Sequence, residues 1–318
     1  MPLTLPTFAQ SLFQALAVWL ITSFVSVPIS FFLAFWDFPK AAYNIFFAEQ
    51  PNVIFITGAS SGIGEAIAVN YARKGVTLGL LARNEERLRR VAQKCENKGA
   101  NVAIYICDII NIKQLIQILD DFDAKHPIDL IIANAAIAGA TRESRENKWE
   151  DYWDKIIEVN LKGTLATVMT VYKKMQRRRK GQIAINSSIA GYYAIPQMCY
   201  YSATKAALNS FGRDLRYLGY THNIKVSVIT PGLIGSRMTQ DPKAPLPFPG
   251  WLIASPEKLA KIVEWGLRQD ISVIAWPFWE FLPSYVSVTL PLRIAELNTI
   301  LIGLLWSLVS VDVNRPIT

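Results

Sequence analysis

Residues 53–64 read VIFITGASSGIG, an apolar run that stops at Thr57 and continues through small residues that include three glycines. This pattern predicts a strand, a tight turn and the start of a helix. Gly58, Gly62 and Gly64 leave no side chain between the backbone and a ligand, and the helix offers unpaired N–H groups and the positive end of its dipole. We interpret the stretch as a pyrophosphate cradle, with a purely structural glycine turn as the alternative.

Short apolar runs separated by longer amphipathic stretches continue from this turn to about residue 276. Such runs predict buried parallel strands covered by helices on both faces, which makes the expected fold class α/β, a doubly wound seven-stranded parallel sheet. The first helix is expected to reach Lys74 and stop at Gly75, and another to begin at Ser255 and Pro256. The strands are expected near 53–57, 77–82, 102–107, 129–133, 182–187, 224–229 and 271–276.

Composition points to contact with lipid. Apolar residues make up 51% of the 318 residues, and charged residues only 18%, below the roughly 25% of soluble domains. The net charge of +8 comes without a nucleic-acid-binding motif, so we expect no nucleic-acid partner and attribute the charge to a membrane surface or a phosphate-rich cofactor. Three scattered cysteines without metal spacing predict reduced thiols and no metal site in a cytosolic catalytic domain.

Both ends of the chain are predicted to associate with a membrane. Residues 1–36 contain no charged residue or histidine, which favours an uncleaved transmembrane anchor over a signal peptide or a buried helix. Pro28 would kink this anchor or make it re-enter, and Lys40 orients the next domain to the cytoplasm, at the endoplasmic reticulum if the cell is eukaryotic. The expected domains are an anchor over 1–50, a catalytic domain over 51–276 and a membrane-associated segment over 277–318, for which a helix buried against the protein is the alternative.

Two further segments of the sequence each allow two interpretations. Residues 237–254 form a loop rich in proline and apolar residues, which we interpret as a substrate lid or a membrane contact. Residues 177–180 read RRRK and close a helix. We interpret them as a solvated C-terminal turn favoured by the helix dipole, with anionic lipid contact as the alternative.

The second strand ends without an acid. A dinucleotide fold places Asp or Glu there to bind the ribose hydroxyls, whereas this chain has Arg83. An acid would repel a 2′-phosphate and Arg83 can pair with one, so we expect NADPH/NADP+ rather than NAD. The alternative is that Arg83 simply opens the charged helix that follows.

A candidate catalytic group lies further along the chain. Tyr201 and Lys205 are four residues apart, so they share one helix face, and a neighbouring ammonium is expected to lower the tyrosine pKa. Ser187 and Ser188 end a strand at the edge where α/β sheets bind ligands. Together these residues predict a proton donor and a group that polarises a carbonyl.

With these motifs in order over residues 53–240, the sequence resembles the short-chain dehydrogenase/reductase family, whose fold is a Rossmann fold. The resemblance implies hydride transfer between nicotinamide and a carbonyl carbon, with proton transfer by Tyr201. The implied catalytic residues are Asn160, Ser188, Tyr201 and Lys205. The implied cofactor-binding residues are Gly58, Ser60, Ser61, Gly62, Ile63, Gly64, Arg83, Asp108, Asn134, Tyr201, Lys205, Pro231, Gly232 and Ser236.

Two positions depart from the family pattern. Residues 133–136 read ANAA where the family has NNAG, which keeps Asn134 and is expected to loosen that turn. Ser236 stands where the family usually has a threonine that contacts the nicotinamide, a change that keeps the hydroxyl. Neither departure removes a catalytic role.

Other functions remain open from the sequence. Residues 58–62 also fit the G-x-S-x-G elbow of a serine hydrolase, for which His126 or His222 would have to be the base. A cofactor-binding scaffold without activity is a third reading. The membrane segments favour a lipophilic substrate arriving from the bilayer, such as 3-ketosphinganine, a ketosteroid or a retinoid. The family resemblance also implies a homodimer through helices near 152–178 and 200–218.

Overall fold

The computed structural model describes residues 49–137, 149–192, 198–236 and 253–277. Its strands form one seven-stranded sheet in the order β3-β2-β1-β4-β5-β6-β7, and every neighbouring pair is parallel. The strands are β1 Val53–Thr57, β2 Thr77–Ala82, β3 Asn101–Ile106, β4 Leu130–Ala133, β5 Gly181–Asn186, β6 Ile224–Pro231 and β7 Val273–Trp276.

Helices cover both faces of this sheet. They are α1 Gly62–Tyr71, α2 Glu85–Glu96, α3 Ile112–Lys125, α4 Trp149–Ile156, α5 Thr164–Arg178, α6 Cys199–Tyr220 and α7 Pro256–Arg268. Apolar residues of α1, α2 and α7 fill one core, and those of α3, α5 and α6 fill the other. The predicted doubly wound α/β architecture is therefore confirmed.

The strand order places a ligand crevice beside β1. The chain moves outward from β1 to β2 and β3, then returns to β4 on the other side of β1. In such sheets the connections after β1 and β4 diverge at the carboxyl ends of the strands and leave a crevice there. We call this end the carboxyl edge and the opposite end the amino edge; at ~3.3 Å per residue, a six-residue strand separates them by about 20 Å.

The predicted strands agree with the observed ones to within two residues, because buried β-branched runs define them locally. The N-terminus of α7 is also confirmed, since the Ser255 side chain accepts a hydrogen bond from the Lys258 N–H at 3.2 Å. The predicted end of α1 at Lys74 is wrong. Ala72 already has an extended backbone, with ψ of 116°, so α1 ends at Tyr71 and Gly75 lies in the turn beyond it.

Several predictions fall outside the described residues. These are the anchor in residues 1–36, nearly all of the loop at 237–254 and the C-terminal segment beyond Pro277. Within the part that the structure describes, no helix combines the length and the apolar character needed to cross a bilayer. The three cysteines are free thiols, with Cys95 and Cys107 buried and Cys199 exposed.

Candidate active site

The glycine turn connects β1 to α1 at the carboxyl edge. The Thr57 hydroxyl accepts hydrogen bonds from the backbone N–H groups of Asn134 and Ala135, at 3.0 and 3.2 Å, which ties the end of β1 to the end of β4. Gly58 has φ of +67°, and a Cβ there would lie 2.8 Å from the Ala135 Cα. The turn therefore requires glycine both for its conformation and for its close contact with the next strand.

The start of α1 is suited to an anion. Ser61 is the N-cap, yet its side chain accepts no hydrogen bond from the first turn, so the N–H groups there keep their capacity to donate. Gly62 has φ of +60° and lies against Ser236, and a Cβ at Gly64 would lie 2.4 Å from the Gly58 carbonyl oxygen. Ser60 and Ile63 lie in the same turn, partly buried. These residues fit the pyrophosphate of a dinucleotide.

Two buried asparagines fix the underside of this turn. The Asn134 side chain donates to the carbonyl oxygens of Thr57 and Gly58, at 3.0 and 3.2 Å. Its own oxygen accepts a hydrogen bond from the Asn186 side chain at 2.8 Å. Although Ala133 and Ala136 depart from the family pattern, Asn134 keeps its hydrogen bonds to the turn. Sequence reasoning missed Asn186, although a polar residue at the end of an otherwise apolar strand is a usable signal.

Arg83 and Asp108 form an ion pair of 3.3 Å where β2 and β3 end. Their side chains are 55% and 34% exposed, so the pair is weak and readily exchanged for another partner. Asp108 also accepts from the Ile110 N–H at 3.3 Å, which orients its carboxylate. The structure thus places Arg83, predicted to bind the 2′-phosphate of the adenosine, next to Asp108, predicted to bind its adenine.

The predicted catalytic side chains meet where β5 ends and α6 begins. The Ser188 hydroxyl accepts from the Ala190 N–H at 3.1 Å and lies 3.4 Å from the Pro231 carbonyl oxygen. Lys205 lies one helical turn after Tyr201, with its ammonium 5.5 Å from the centre of the tyrosine ring. That ammonium donates to the Asn186 carbonyl oxygen at 2.9 Å.

Burial shifts the pKa values of Lys205 and Tyr201. It lowers the pKa of Lys205, which is 1% exposed, from 10.5 to about 7. Burial also raises the pKa of Tyr201 above its usual 10, and a hydrogen bond with Ser188 offsets part of that rise. The net direction is therefore opposite to the expected lowering by Lys205, because burial disfavours a phenolate.

Asn160 occupies an irregular turn of helix. The stretch Ile157–Gly163, between α4 and α5, is π-helical, a feature often found at functional sites. The Asn160 side chain is fully buried and exchanges two hydrogen bonds with the backbone of Ile137, at 2.8 and 2.9 Å. It thereby fixes the loop after β4 at the same edge as Ser188.

The loop after β6 completes the site. Gly232 donates its N–H to the Trp276 carbonyl oxygen at 2.9 Å, so the turn after Pro231 is fixed to β7. Ser236 follows and lies against Gly62. All of the predicted site residues therefore lie at the carboxyl edge.

The two histidines of the sequence lie far from Ser60. His126 follows α3 and packs on Phe122, and His222 follows α6 and contacts the Gln176 side chain at 3.0 Å. Both lie at the amino edge, because that is where these helices end. A serine hydrolase needs a histidine beside its nucleophile, so this arrangement disfavours the hydrolase alternative.

Comparison with known proteins agrees with this geometry. The short chain dehydrogenase family model matches residues 52–246, which is more than half of the chain. The chain belongs to the short-chain dehydrogenase family. This short-chain dehydrogenase is accordingly an oxidoreductase, and that reading is favoured over the hydrolase and the inactive scaffold.

The relatives of this short-chain dehydrogenase include a plant enzyme. The 11-beta-hydroxysteroid dehydrogenase of Pinus massoniana is 30% identical over 267 residues, 78% of this chain and 73% of the relative. A short-chain dehydrogenase from Sphingobium yanoikuyae, solved with NADPH, has a TM-score of 0.65 at 22% identity, covering 80% of this chain and 94% of that one. A 3-oxoacyl-(acyl-carrier protein) reductase from Brucella melitensis, solved with NAD, has a TM-score of 0.61 at 24% identity, covering 74% and 93%. Both solved structures share the fold of this chain.

Proposed function

We propose that this short-chain dehydrogenase is an NADP(H)-dependent enzyme that interconverts a carbonyl and a secondary alcohol on a lipophilic substrate. The observation that carries the proposal is the convergence of Ser188, Tyr201 and Lys205 beside the glycine turn at the carboxyl edge. A bound nicotinamide would supply or accept the hydride. The protein has to bind the carbonyl oxygen, move one proton and exclude water.

Tyr201 is the proposed proton donor in the reducing direction. Because its pKa lies above 10, its hydroxyl is protonated at neutral pH and can donate to an alkoxide that develops on the substrate. Ser188, which hydrogen bonds with Tyr201, would donate to the same oxygen and stabilise its charge. The raised pKa suits reduction better than oxidation, which would need the phenolate.

Lys205 and Asn160 are proposed to support this step. One N–H of the Lys205 ammonium is used by the Asn186 carbonyl oxygen, which leaves donors for the ribose hydroxyls of a cofactor. With a pKa of about 7, Lys205 can also exchange a proton near neutral pH. Asn160 holds the loop after β4 and would position a water molecule for resupply of that proton.

The proposed preference for NADP(H) rests on Arg83. Its guanidinium is exposed and held only by the weak pair with Asp108, so a 2′-phosphate can take over that contact at little cost. The two solved neighbours bind different cofactors, NADPH in one and NAD in the other. We expect Arg83→Ser to weaken NADPH binding about 10- to 100-fold through loss of charge-assisted hydrogen bonds, with NADH binding unchanged. Equal loss for both cofactors in calorimetric titrations would refute the preference.

The proposed substrate class rests on the name of the Pinus relative and on the apolar composition of this chain. The Pinus relative is named a hydroxysteroid dehydrogenase, which favours a ketosteroid or its alcohol within the lipophilic class. 3-Ketosphinganine and retinal belong in the same test panel because they offer a carbonyl on a long apolar body.

The test is NADPH oxidation by the detergent-solubilised full chain across that panel, with Tyr201→Phe as the control variant. We expect Tyr201→Phe to lower the rate by 100- to 10,000-fold, the usual contribution of a general acid, while the NADPH affinity stays within about twofold. A Tyr201→Phe variant that keeps substantial reductase activity would contradict the role of Tyr201. A parent enzyme inactive on every apolar carbonyl would instead favour the scaffold.

Membrane association, a cytoplasmic catalytic domain and a homodimer are further parts of the proposal. The uncharged residues 1–36 and the apolar C-terminal segment support the first, and Lys40 supports the orientation. Flotation of the full chain with lipid vesicles tests the association. Cross-linking in detergent, with particle mass measured by light scattering, tests the dimer.

A further inference from the structure

The most exposed large apolar side chains of the described residues lie in the last turn of α6. Tyr217 and Tyr220 are 83% and 86% exposed, and Leu218 between them is 58% exposed. Two such tyrosines in one helical turn present an aromatic surface to solvent. This turn lies at the amino edge, at the opposite end of the strands from the candidate active site.

A basic cluster adjoins this aromatic turn. The Arg179 guanidinium donates to the Thr221 carbonyl oxygen at 3.0 Å, and Asn223 donates back to the Arg179 carbonyl oxygen at 3.2 Å, so the ends of α5 and α6 are held together. Arg177, Arg179 and Lys180 are all exposed. We call this set the amino-edge patch: Arg177, Arg179, Lys180, Tyr217, Leu218 and Tyr220.

The chain enters the fold at the same place. Glu49, which precedes β1, pairs with Lys180 at 2.9 Å. Only the twelve residues 37–48 separate Glu49 from the uncharged stretch 1–36. At ~3.5 Å per extended residue they span at most about 40 Å, which limits how far residue 36 can lie from Glu49.

We propose that the amino-edge patch binds the headgroup region of an anionic lipid bilayer. Tyrosine rings favour the headgroup level because one end is apolar and the other polar. Each arginine or lysine near an anionic surface adds attraction that salt screens. The tyrosines and the basic side chains therefore contact one surface.

A second copy of the chain is a poorer occupant. A two-fold contact through this patch would bring the basic residues of two copies into one interface, and like charges near one another repel. A bilayer with anionic lipid offers the opposite charge. The inference rests on the proposed membrane association but not on the proposed reaction.

The experiment places a fluorescent label at either end of the strands in the full chain. Tyr217→Cys or Ile110→Cys is introduced with Cys199→Ser, which removes the exposed native thiol, and each protein is labelled with bimane. Ile110, 43% exposed after β3, is the control at the carboxyl edge. Proteins are reconstituted in vesicles of phosphatidylcholine with or without 30% phosphatidylserine, and quenching by a headgroup spin-labelled lipid is measured.

We expect at least threefold more quenching at position 217 than at position 110, increased by phosphatidylserine and reduced in 0.5 M salt. Adding Arg177→Gln and Arg179→Gln should shift the equilibrium away from the surface by about 30-fold, from about 1 kcal/mol for each charge. Equal quenching at both positions, or no effect of phosphatidylserine, overturns the inference.

Two other outcomes also overturn it and are distinguishable. A label at position 217 that is shielded without lipid, in particles of twice the monomer mass, shows that a second copy covers the patch. A parent chain that fails to float with either vesicle refutes the proposed membrane association, and the amino-edge patch with it. NADPH oxidation remains a separate measurement in every case.

Discussion

Replacing Gly64 by alanine tests whether the glycine turn is a cofactor cradle. The new Cβ would lie 2.4 Å from the Gly58 carbonyl oxygen and 2.6 Å from the Asn134 side-chain nitrogen, about 1 Å closer than an ordinary contact. Neither atom can yield easily, because Asn134 holds the Gly58 carbonyl and is itself held by Asn186. The turn must therefore move relative to the N-terminus of α1.

We expect this movement to misalign one or two N–H groups that would bind the pyrophosphate. At ~1.5–3 kcal/mol for each hydrogen bond to a charged group, the loss should be about 2–4 kcal/mol, or roughly 30- to 1000-fold in the NADPH dissociation constant. Overpacking should also lower the free energy of unfolding by about 1–3 kcal/mol. Calorimetric titration with NADPH and urea unfolding measure the two effects.

Gly75→Ala is the matched control. Gly75 has φ of +87° but no atom within 4 Å of its would-be Cβ, so alanine there is strained without touching anything. It should lower stability by about 1–2 kcal/mol and leave cofactor affinity unchanged. If Gly64→Ala binds NADPH within twofold of the parent, or if Gly75→Ala weakens binding as much, the cradle interpretation is refuted.

Two further predictions concern buried charges. Arg178→Met should lower the free energy of unfolding by about 3 kcal/mol, because it leaves the buried Asp123 carboxylate, which Arg178 contacts at 3.0 Å, without its cation. Arg89→Met is the control, because it breaks only an exposed pair with Glu85 and should lower the free energy of unfolding by less than ~0.5 kcal/mol. Similar losses in urea unfolding would contradict this. Burial lowers the pKa of Lys205 from 10.5 to about 7, so between these values the unfolded chain holds more protons and stability rises with pH. Lys205→Met should remove up to about 1.4 kcal/mol per pH unit of that rise, and an unchanged slope from pH 7 to 9 would contradict the assignment.

The strands and the glycine turn could be predicted because their signals are local. A β-branched run followed by small residues at 53–64 restricts its own backbone, and the spacing of Tyr201 and Lys205 places both on one helix face whatever surrounds it. The end of α1 was harder to predict, since it depends on the backbone of Ala72 rather than on the glycine three residues later. The two ends of the chain lie outside the described residues, so the predicted membrane segments stay predictions.

The contacts and pKa values of the site residues could be found only from the tertiary structure. The link from Asn186 through Asn134 to the turn joins residues more than 50 positions apart in the chain, so no local pattern contains it. The ion pair between Arg83 and Asp108 joins two strand ends that lie 25 positions apart, so it too lies outside any local pattern. Sequence spacing showed that Lys205 is near Tyr201, but not that burial would raise the tyrosine pKa and lower the lysine pKa.

The sequence by itself therefore determined the family, the fold class and the identity of the candidate residues, because each of these follows from short motifs in a fixed order. Only the tertiary structure decided which of those residues are buried, what they contact and how their pKa values are shifted. The physical reason is that desolvation and hydrogen bonding depend on neighbours supplied by other strands and helices. The clustering of Tyr217 and Tyr220 with Arg179 likewise exists only after α5 and α6 have packed.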